Sequence, residues 1–98
     1  MAVNVILEVE FKPGMAGQVL EGFKTDLKDT RNFKGCLGLE LLQDEDNPEH
    51  IMLYEKWESK EHQQKYWKWR IDSGSMDQMG PILASPPVIK YFDSKGTF

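Results

Sequence analysis

Residues 66–70 bring three aromatic side chains together with a lysine and an arginine. Tyr66 and Arg70 stand four positions apart, so on a helix their side chains share a face. An arginine turned inward is costly to bury unless an anion accompanies it, such as Glu55 or the phenolate of a bound substrate. Aromatic walls with a few polar groups are typical of small-molecule sites. We therefore predict a pocket in which Tyr66 and Trp69 contact an aromatic ring and Arg70 stabilises a negatively charged oxygen.

Two other interpretations of this segment stay open. Tyr66 and Trp69 would serve equally well as core residues, with Trp67 lying over a neighbouring protomer. Arg70 would then form a surface ion pair, which contributes little to stability. Both interpretations leave the segment without a chemical role.

Glu55 lies in the apolar run 51–57, where strand alternation turns it to the same side as Trp57. A carboxyl group drawn inward with a tryptophan has a raised pKa, which suits it to accept a proton during catalysis. Trp57 would hold the substrate ring and donate a hydrogen bond. Pairing of Glu55 with Arg70 or Lys56 is the structural alternative.

Histidine and asparagine offer two further candidates. His62 comes one helical turn before Tyr66 and is a reasonable proton shuttle. Asn4 would orient a carbonyl or a bound oxygen species with its amide, or else belong to a fraying terminus. The two histidines, His50 and His62, and the single Cys36 lack metal-ligand spacing, so we predict no metal site.

The elements that must position these residues follow from hydrophobic periodicity. Alternating apolar residues predict strands, and apolar residues at three- and four-residue spacing predict helices. The predicted elements are a strand over 3–11, a helix over 14–31, strands over 36–43 and 51–57, a helix over 60–73, a short helical stretch over 76–83 and a strand over 88–92. Ser59 is suited to cap the second long helix. Leu37, Leu39 and Leu41 would share one face of the second strand.

The order strand, helix, strand, strand, helix, strand predicts an α+β domain of the ferredoxin-like βαββαβ type. Right-handed crossovers then give a four-stranded antiparallel sheet with both helices on one face. The strands are apolar on both sides, with Ile6 beside Leu7 and Met52 beside Leu53. The sheet face without helices is therefore apolar, which usually marks a partner. We predict a homodimer in which two sheets pack face to face as a barrel.

Length and composition narrow the class of protein. The 98 residues suffice for one domain, so we treat 1–98 as a single unit. The net charge of -4 gives no basic surface for nucleic acid. No apolar run approaches a signal peptide or a membrane span, which predicts a cytoplasmic protein without a membrane partner. Neither a GxGxxG motif nor a Walker loop occurs, so we expect no flavin, nicotinamide or other bound cofactor.

Four stretches of the sequence carry a family resemblance, and together they extend over much of the chain. They are Lys12-Pro13-Gly14, Gly35-Cys36-Leu37-Gly38, Asp44-Glu45-Asp46-Asn47-Pro48 and Tyr54-Glu55-Lys56-Trp57-Glu58-Ser59-Lys60-Glu61. With them the chain resembles the antibiotic biosynthesis monooxygenase (ABM) superfamily of dimeric α+β barrels. The resemblance marks Trp57 as the family's recurring tryptophan. The chain departs from the pattern at Tyr66, near which many relatives carry a histidine.

The resemblance implies a cofactor-independent monooxygenase that acts on a small aromatic substrate of the quinol or anthrone type, with molecular oxygen as co-substrate. In that scheme Arg70 stabilises the oxyanion, Tyr66 and Trp57 hold the ring, and Glu55 or His62 moves the proton. Two alternatives stay open. One is a non-catalytic dimeric module that binds a small hydrophobic ligand. The other is a haem-degrading monooxygenase, which the lack of an axial histidine in the second helix disfavours.

Overall fold

The computed structural model describes residues 2–98, and its elements follow the predicted order. They are the strand β1 (Val3–Glu10), the helix α1 (Ala16–Asn32), the strands β2 (Cys36–Gln43) and β3 (His50–Trp57), the helix α2 (Lys60–Asp72), one 3₁₀ turn (Gly80–Ile82) and the strand β4 (Val88–Phe92). The strands form one antiparallel sheet in the order β2-β3-β1-β4. Both helices pack on the same face of it. The ferredoxin-like α+β fold is therefore confirmed.

Two helical boundaries differ from the prediction for local reasons. The helix α1 begins at Ala16, because Gly14 has a φ of 81° and belongs to a turn. The helical stretch expected over 76–83 is reduced to the single turn Gly80–Ile82. Pro81 lies at the start of that turn, because proline is tolerated in the first turn of a helix and breaks a helix that runs through it. No helix within residues 2–98 combines the length and the apolar character needed to cross a bilayer.

The start of α1 takes its cap from a distant loop. Its own N-cap residue, Met15, makes no side-chain cap hydrogen bond. The carboxylate of Glu49 instead accepts hydrogen bonds from the backbone N–H groups of Gly14 at 3.0 Å and Ala16 at 3.1 Å. A carboxylate satisfies these unpaired donors and lies favourably against the positive end of the helix dipole. The loop before β3 therefore fixes the start of α1.

The core lies between the sheet and the two helices. Alternate residues of β1 point into it, as the strand's sequence predicts. Phe11 and Ile51 have at most 1% of their surface exposed, and Phe23 and Leu27 of α1 pack against this layer. Burial of each such large apolar side chain contributes about 1.5–3 kcal/mol. This layer holds α1 at a fixed position over the sheet.

A β-bulge changes the predicted faces of β2. Cys36 pairs with Trp57 and Gly38 pairs with Lys56, so the residue between them has no partner. That residue, Leu37, is 44% exposed instead of sharing a buried face with the leucines that follow it. A bulge inserts one extra residue and reverses the alternation beyond it. Periodicity alone therefore assigned Leu37 to the wrong side.

The sheet face away from the helices is uncovered in the single chain. Its half-buried or exposed apolar side chains come from all four strands, and we call this set the open face: Ile6, Leu42, Met52, Tyr54, Val88 and Phe92. Ile6 lies opposite Tyr54 and Leu42 lies opposite Met52, whereas the apolar residues of β4 lie opposite polar ones, Val88 opposite Glu8 and Phe92 opposite Asn4. The face without helices is therefore uncovered as the sequence predicts and carries both apolar and charged side chains, such as Glu8 and Lys90, and the homodimer built on it stays a prediction.

Candidate active site

A cleft of about 300 Å³ opens between α1, α2 and the segment 75–82. Leu7 and Leu53 of the sheet lie at its base, and most other lining residues, including Trp67, are apolar or aromatic. Tyr66 and Arg70 bring polar groups to it from α2. Ligand pockets in proteins span about 300–1,000 Å³, so this volume suits a small molecule.

Arg70 is buried in the wall of the cleft, with 9% of its surface exposed. Its Nε donates to the Tyr66 hydroxyl at 2.8 Å, and its Nη2 donates to the Thr30 hydroxyl at 3.0 Å and to the Asp26 backbone carbonyl at 2.8 Å. All of these partners are neutral. A buried guanidinium normally has an anionic partner.

No anionic partner of Arg70 occurs among the residues that the structure describes. Over residues 2–98, Nη1 of Arg70 makes no hydrogen bond and no carboxylate lies within 4.0 Å of the guanidinium. The alternatives of an ion pair with Glu55 and of a surface ion pair are therefore both absent there. The arrangement leaves a positive charge and free N–H donors for an anion brought by a ligand.

The hydroxyl oxygens of Tyr66 and Thr30 lie 2.7 Å apart, and Arg70 donates to both. One hydroxyl must donate to the other, so the accepting hydroxyl keeps its own proton for another partner. Burial raises the pKa of the Tyr66 phenol, against the opposing effect of its hydrogen bonds with Thr30 and Arg70. Tyr66 is therefore neutral near pH 7, and its hydroxyl, which accepts from Arg70, keeps a proton that it can donate to Thr30 or to a ligand.

Glu55 and Trp57 lie behind Tyr66 and do not line the cleft. Trp57 is fully buried, and its Nε1 donates to Oε1 of Glu55 at 2.8 Å. The rings of Trp57 and Tyr66 have centroids 5.2 Å apart. Burial raises the pKa of the Glu55 carboxyl, while the Trp57 hydrogen bond and the charge of Arg70 act to lower it. Both side chains point inward as predicted, and the structure places them one layer away from the cleft.

The two tryptophans of α2 exchange the positions that the sequence suggests. Trp69 is 40% exposed and lies outside the cleft, with the Arg70 guanidinium 4.8 Å from its ring centroid. Trp67 lines the cleft instead. The buried stripe of α2 runs through Gln63, Tyr66 and Arg70, and Trp67 follows Gln63 at four-residue spacing. The sequence therefore placed Trp69 on the inner face of α2, where the structure has Trp67.

The structure does not bring His62 or Asn4 to the cleft. His62 lies in the first turn of α2, where its Nδ1 is 2.6 Å from the Ser59 hydroxyl. The same hydroxyl accepts the His62 backbone N–H at 3.2 Å, which confirms the predicted cap. Asn4 lies on the open face, and its Oδ1 accepts a hydrogen bond from the Tyr54 hydroxyl at 3.3 Å. The sheet therefore separates Asn4 from the cleft.

Sequence reasoning missed Thr30 and Asp26, which supply hydroxyl and carbonyl partners to Arg70. A signal existed for Thr30, because it continues the helical spacing of Phe23 and Leu27 and is fully buried. No signal existed for Asp26, since its contribution is a backbone carbonyl. Asp26 is also one of the residues that line the cleft.

Comparison with known protein families agrees with this fold. The family model for antibiotic biosynthesis monooxygenase matches residues 2–68. The chain belongs to the antibiotic biosynthesis monooxygenase family. No curated protein matches it. Arg70 and the segment 75–82 lie beyond the matched residues, so their role has to be argued from the geometry of this chain.

Solved structures share the whole fold at low sequence identity. A conserved protein from Methanosarcina mazei Go1 is 18% identical, with a TM-score of 0.84 over 97% of this chain and 94% of that one. An antibiotic biosynthesis monooxygenase is 18% identical, with a TM-score of 0.84 over 96% and 99%. Rv0793 from Mycobacterium tuberculosis is 19% identical, with a TM-score of 0.82 over 99% and 98%. At this identity the likeness concerns the fold.

Proposed function

We propose that the chain is a monooxygenase that oxidises a small, electron-rich aromatic substrate of the quinol or anthrone type in the cleft, without a bound cofactor. Residues 1–98 act in this proposal as one domain that pairs with a second copy through the open face. Membership of the ABM family supports the reaction class. The make-up of the cleft supports the substrate class, because its walls are mostly apolar and its volume is about 300 Å³.

The observation that carries the proposal is the charge of Arg70. Its guanidinium is buried at the cleft with neutral partners and with Nη1 free of hydrogen bonds to residues 2–98. A phenolate or enolate oxygen beside Nη1 would complete its pairing. Donors that are fixed in place before the reaction stabilise charge that develops on such an oxygen, and one donor of this kind contributes about 10²–10³ to kcat.

The reaction balances without an external reductant. In an anthrone, the methylene between the aromatic rings becomes a carbonyl and gives up four electrons and two protons to O2, which places one oxygen in the product and releases the other as water. In a quinol, a ring C–H becomes C–OH and the quinol becomes a quinone, which gives up the same four electrons and two protons. Loss of the first proton makes the substrate electron-rich enough to pass an electron to O2. Arg70 stabilises the resulting oxyanion, and the neutral Tyr66 hydroxyl donates a hydrogen bond to it.

The proton acceptor requires a new assignment, since Glu55 and His62 do not line the cleft. Among the lining residues in 2–98, Asp26 is the one that carries a carboxylate, and we assign the first proton transfer to it. Glu55 keeps a positioning role, because its carboxyl oxygen accepts the Trp57 N–H and holds the indole against Tyr66. Trp67 takes the ring contact that the sequence assigned to Trp69.

Oxygen uptake tests the proposal. Metal-stripped, flavin-free protein is mixed with a panel of quinols, anthrones and naphthols, and autoxidation is subtracted. We expect uptake with at least one substrate and a loss of about 10²–10³ in kcat for Arg70→Gln. Arg31→Gln is the matched control, because it removes the chain's other arginine, which lies away from the cleft. Equal uptake by wild type and Arg70→Gln would refute the role of Arg70.

One observation favours a second candidate function, a non-catalytic module that holds a small aromatic ligand. Neither histidine of the chain is among the described residues that line the cleft. Imidazole is the commonest general base at neutral pH, and its absence from the lining weakens the case for proton abstraction. Naphthols or anthrones would raise the melting temperature of such a module, because a ligand that binds the native state stabilises it. The module would consume no oxygen.

A further inference from the structure

The middle of α1 carries a glycine where the helix borders the cleft. Gly22 lies well inside the helix Ala16–Asn32 and lines the cleft. A glycine in a helix interior lowers helix stability relative to alanine. The presence of glycine rather than alanine at position 22 therefore needs a physical explanation.

Packing does not supply that reason within the single chain. A Cβ atom built at Gly22 meets no heavy atom within 4 Å, so alanine would fit there without a clash. The helical backbone does not require glycine either, since Gly22 has no positive φ. What Gly22 provides is open space at the wall of the cleft.

The neighbouring turns of α1 make this space a gap between side chains. Gln18 and Asp26 lie one turn before and one turn after Gly22, and both line the cleft. In the wall formed by α1, a polar residue therefore lies one turn before Gly22 and another one turn after it, and Gly22 itself has no side chain. On the other side of the same cleft, Met76 and Met79 of the segment after α2 supply flexible apolar surface that can follow the shape of a ligand.

We infer that Gly22 determines the size of the ligand that the cleft accepts. A ligand whose charged oxygen pairs with Arg70 extends past Gly22, and the missing side chain leaves room for a second or third fused ring. This inference rests on the proposal that the cleft binds the substrate. It concerns binding, so it does not depend on whether oxygen then reacts.

Anaerobic binding of three probes tests the inference. Phenol, naphthol and anthrone are titrated without oxygen into wild type, Gly22→Ala and Gly22→Leu, and binding is followed by isothermal titration calorimetry. We expect Gly22→Leu to weaken anthrone and naphthol by about tenfold or more, because a side chain forced against a bound ring costs that much affinity. Phenol should bind within about twofold of wild type, since one ring leaves the gap empty.

The control is a second glycine of the same helix. Gly17 also has open space where a Cβ atom would stand, and it does not line the cleft. Gly17→Leu should bind all three probes as wild type does. Gly22→Ala should show the same size order as Gly22→Leu with a smaller effect and should fold at least as well as wild type, because alanine favours helix.

Three results would overturn the inference. They are equal behaviour of Gly22→Leu and Gly17→Leu, an equal loss of phenol and anthrone in Gly22→Leu, and no binding of any probe by wild type. Oxygen uptake on the same samples in air tests the proposed function separately. Size-dependent binding without uptake would leave the role of Gly22 standing and refute the oxygenase.

Discussion

Arg70 and Glu55 are both buried near Tyr66, yet they do not form an ion pair. Each instead uses neutral hydrogen-bond partners, Thr30 and Tyr66 for the arginine and Trp57 for the carboxyl. Burial raises the pKa of Glu55, which favours its uncharged form. The charge that α2 brings to the cleft is therefore the positive charge of Arg70, and α1 brings the acidic residue Asp26.

The raised pKa of Glu55 predicts how stability depends on pH. A carboxyl whose folded pKa lies above its ordinary value contributes stability below that ordinary value and loses it as pH rises through the folded pKa. Glu55→Gln keeps an acceptor for the Trp57 N–H and removes the titration. We expect the variant to gain free energy of unfolding relative to wild type as pH rises from about 4 toward neutrality.

Urea denaturation at a series of pH values measures this difference. Glu45→Gln is the control, because Glu45 is exposed in the loop between β2 and β3 and should show no such gain. If the free energies of unfolding of Glu55→Gln and wild type differ by the same amount at every pH in this range, the pKa of Glu55 is not raised by burial.

At the scale of elements, the strands could be predicted from the sequence, and the rotation of α2 could not. Period-two alternation sets the inward face of β1 and β3, and their observed register brings Val3 opposite Trp57. In α2 the rings at 66, 67 and 69 lie on several sides of the helix, so apolar spacing does not choose one face. The inward face of α2 is set instead by the hydrogen bonds of Tyr66 and Arg70 to Thr30. These contacts join residues that lie 36 and 40 positions apart in the sequence.

The loop before β2 holds the start of α2 in place, and this gives a prediction on stability. Gly35 has a φ of 95°, and a Cβ atom there would overlap the ring of His62. Gly35→Ala should lower the free energy of unfolding by about 1–3 kcal/mol, because alanine is strained at that φ and must displace the ring.

Chemical denaturation of Gly35→Ala beside Gly17→Ala checks this expectation. Gly17 has no positive φ and has open space around it, so its alanine variant should be at least as stable as wild type. If the two variants were equally stable, the contact between Gly35 and His62 would not hold α2 in place.

For the whole molecule, the open face is the feature that one chain leaves incomplete. A 98-residue domain buries a limited share of its surface, and a second copy of the sheet would cover the apolar side chains of this face. Two copies facing each other would also place the two clefts on the outer sides of the assembly, since the helices lie on the opposite face of each sheet. Each protomer would then keep its own site.

If two copies pair through the open face, a charge placed on that face should separate them. Leu42→Glu places a carboxylate on a side chain that is 39% exposed in the single chain, so the fold itself should tolerate it. We expect the dissociation constant of the dimer to rise by about tenfold or more, because an unpaired charge is costly to bury. Sedimentation velocity over a concentration series measures the change.

Ile71→Glu provides the matched control, because Ile71 is an exposed apolar residue of α2 on the helix side of the sheet. It should leave the dimer intact. If the wild-type chain sediments as a monomer, or if the two variants have equal effects, the open face is not a dimer interface.

Turnover with isotope-labelled O2 tests the central claim most directly. Metal-stripped, flavin-free wild type and Arg70→Gln are given the best quinol or anthrone substrate, and the product is analysed by mass spectrometry. We predict one labelled oxygen per product molecule for wild type and a rate about 10²–10³ lower for Arg70→Gln. Unlabelled product, or labelled product formed equally fast without Arg70, would contradict a monooxygenase that acts through the charge of this cleft.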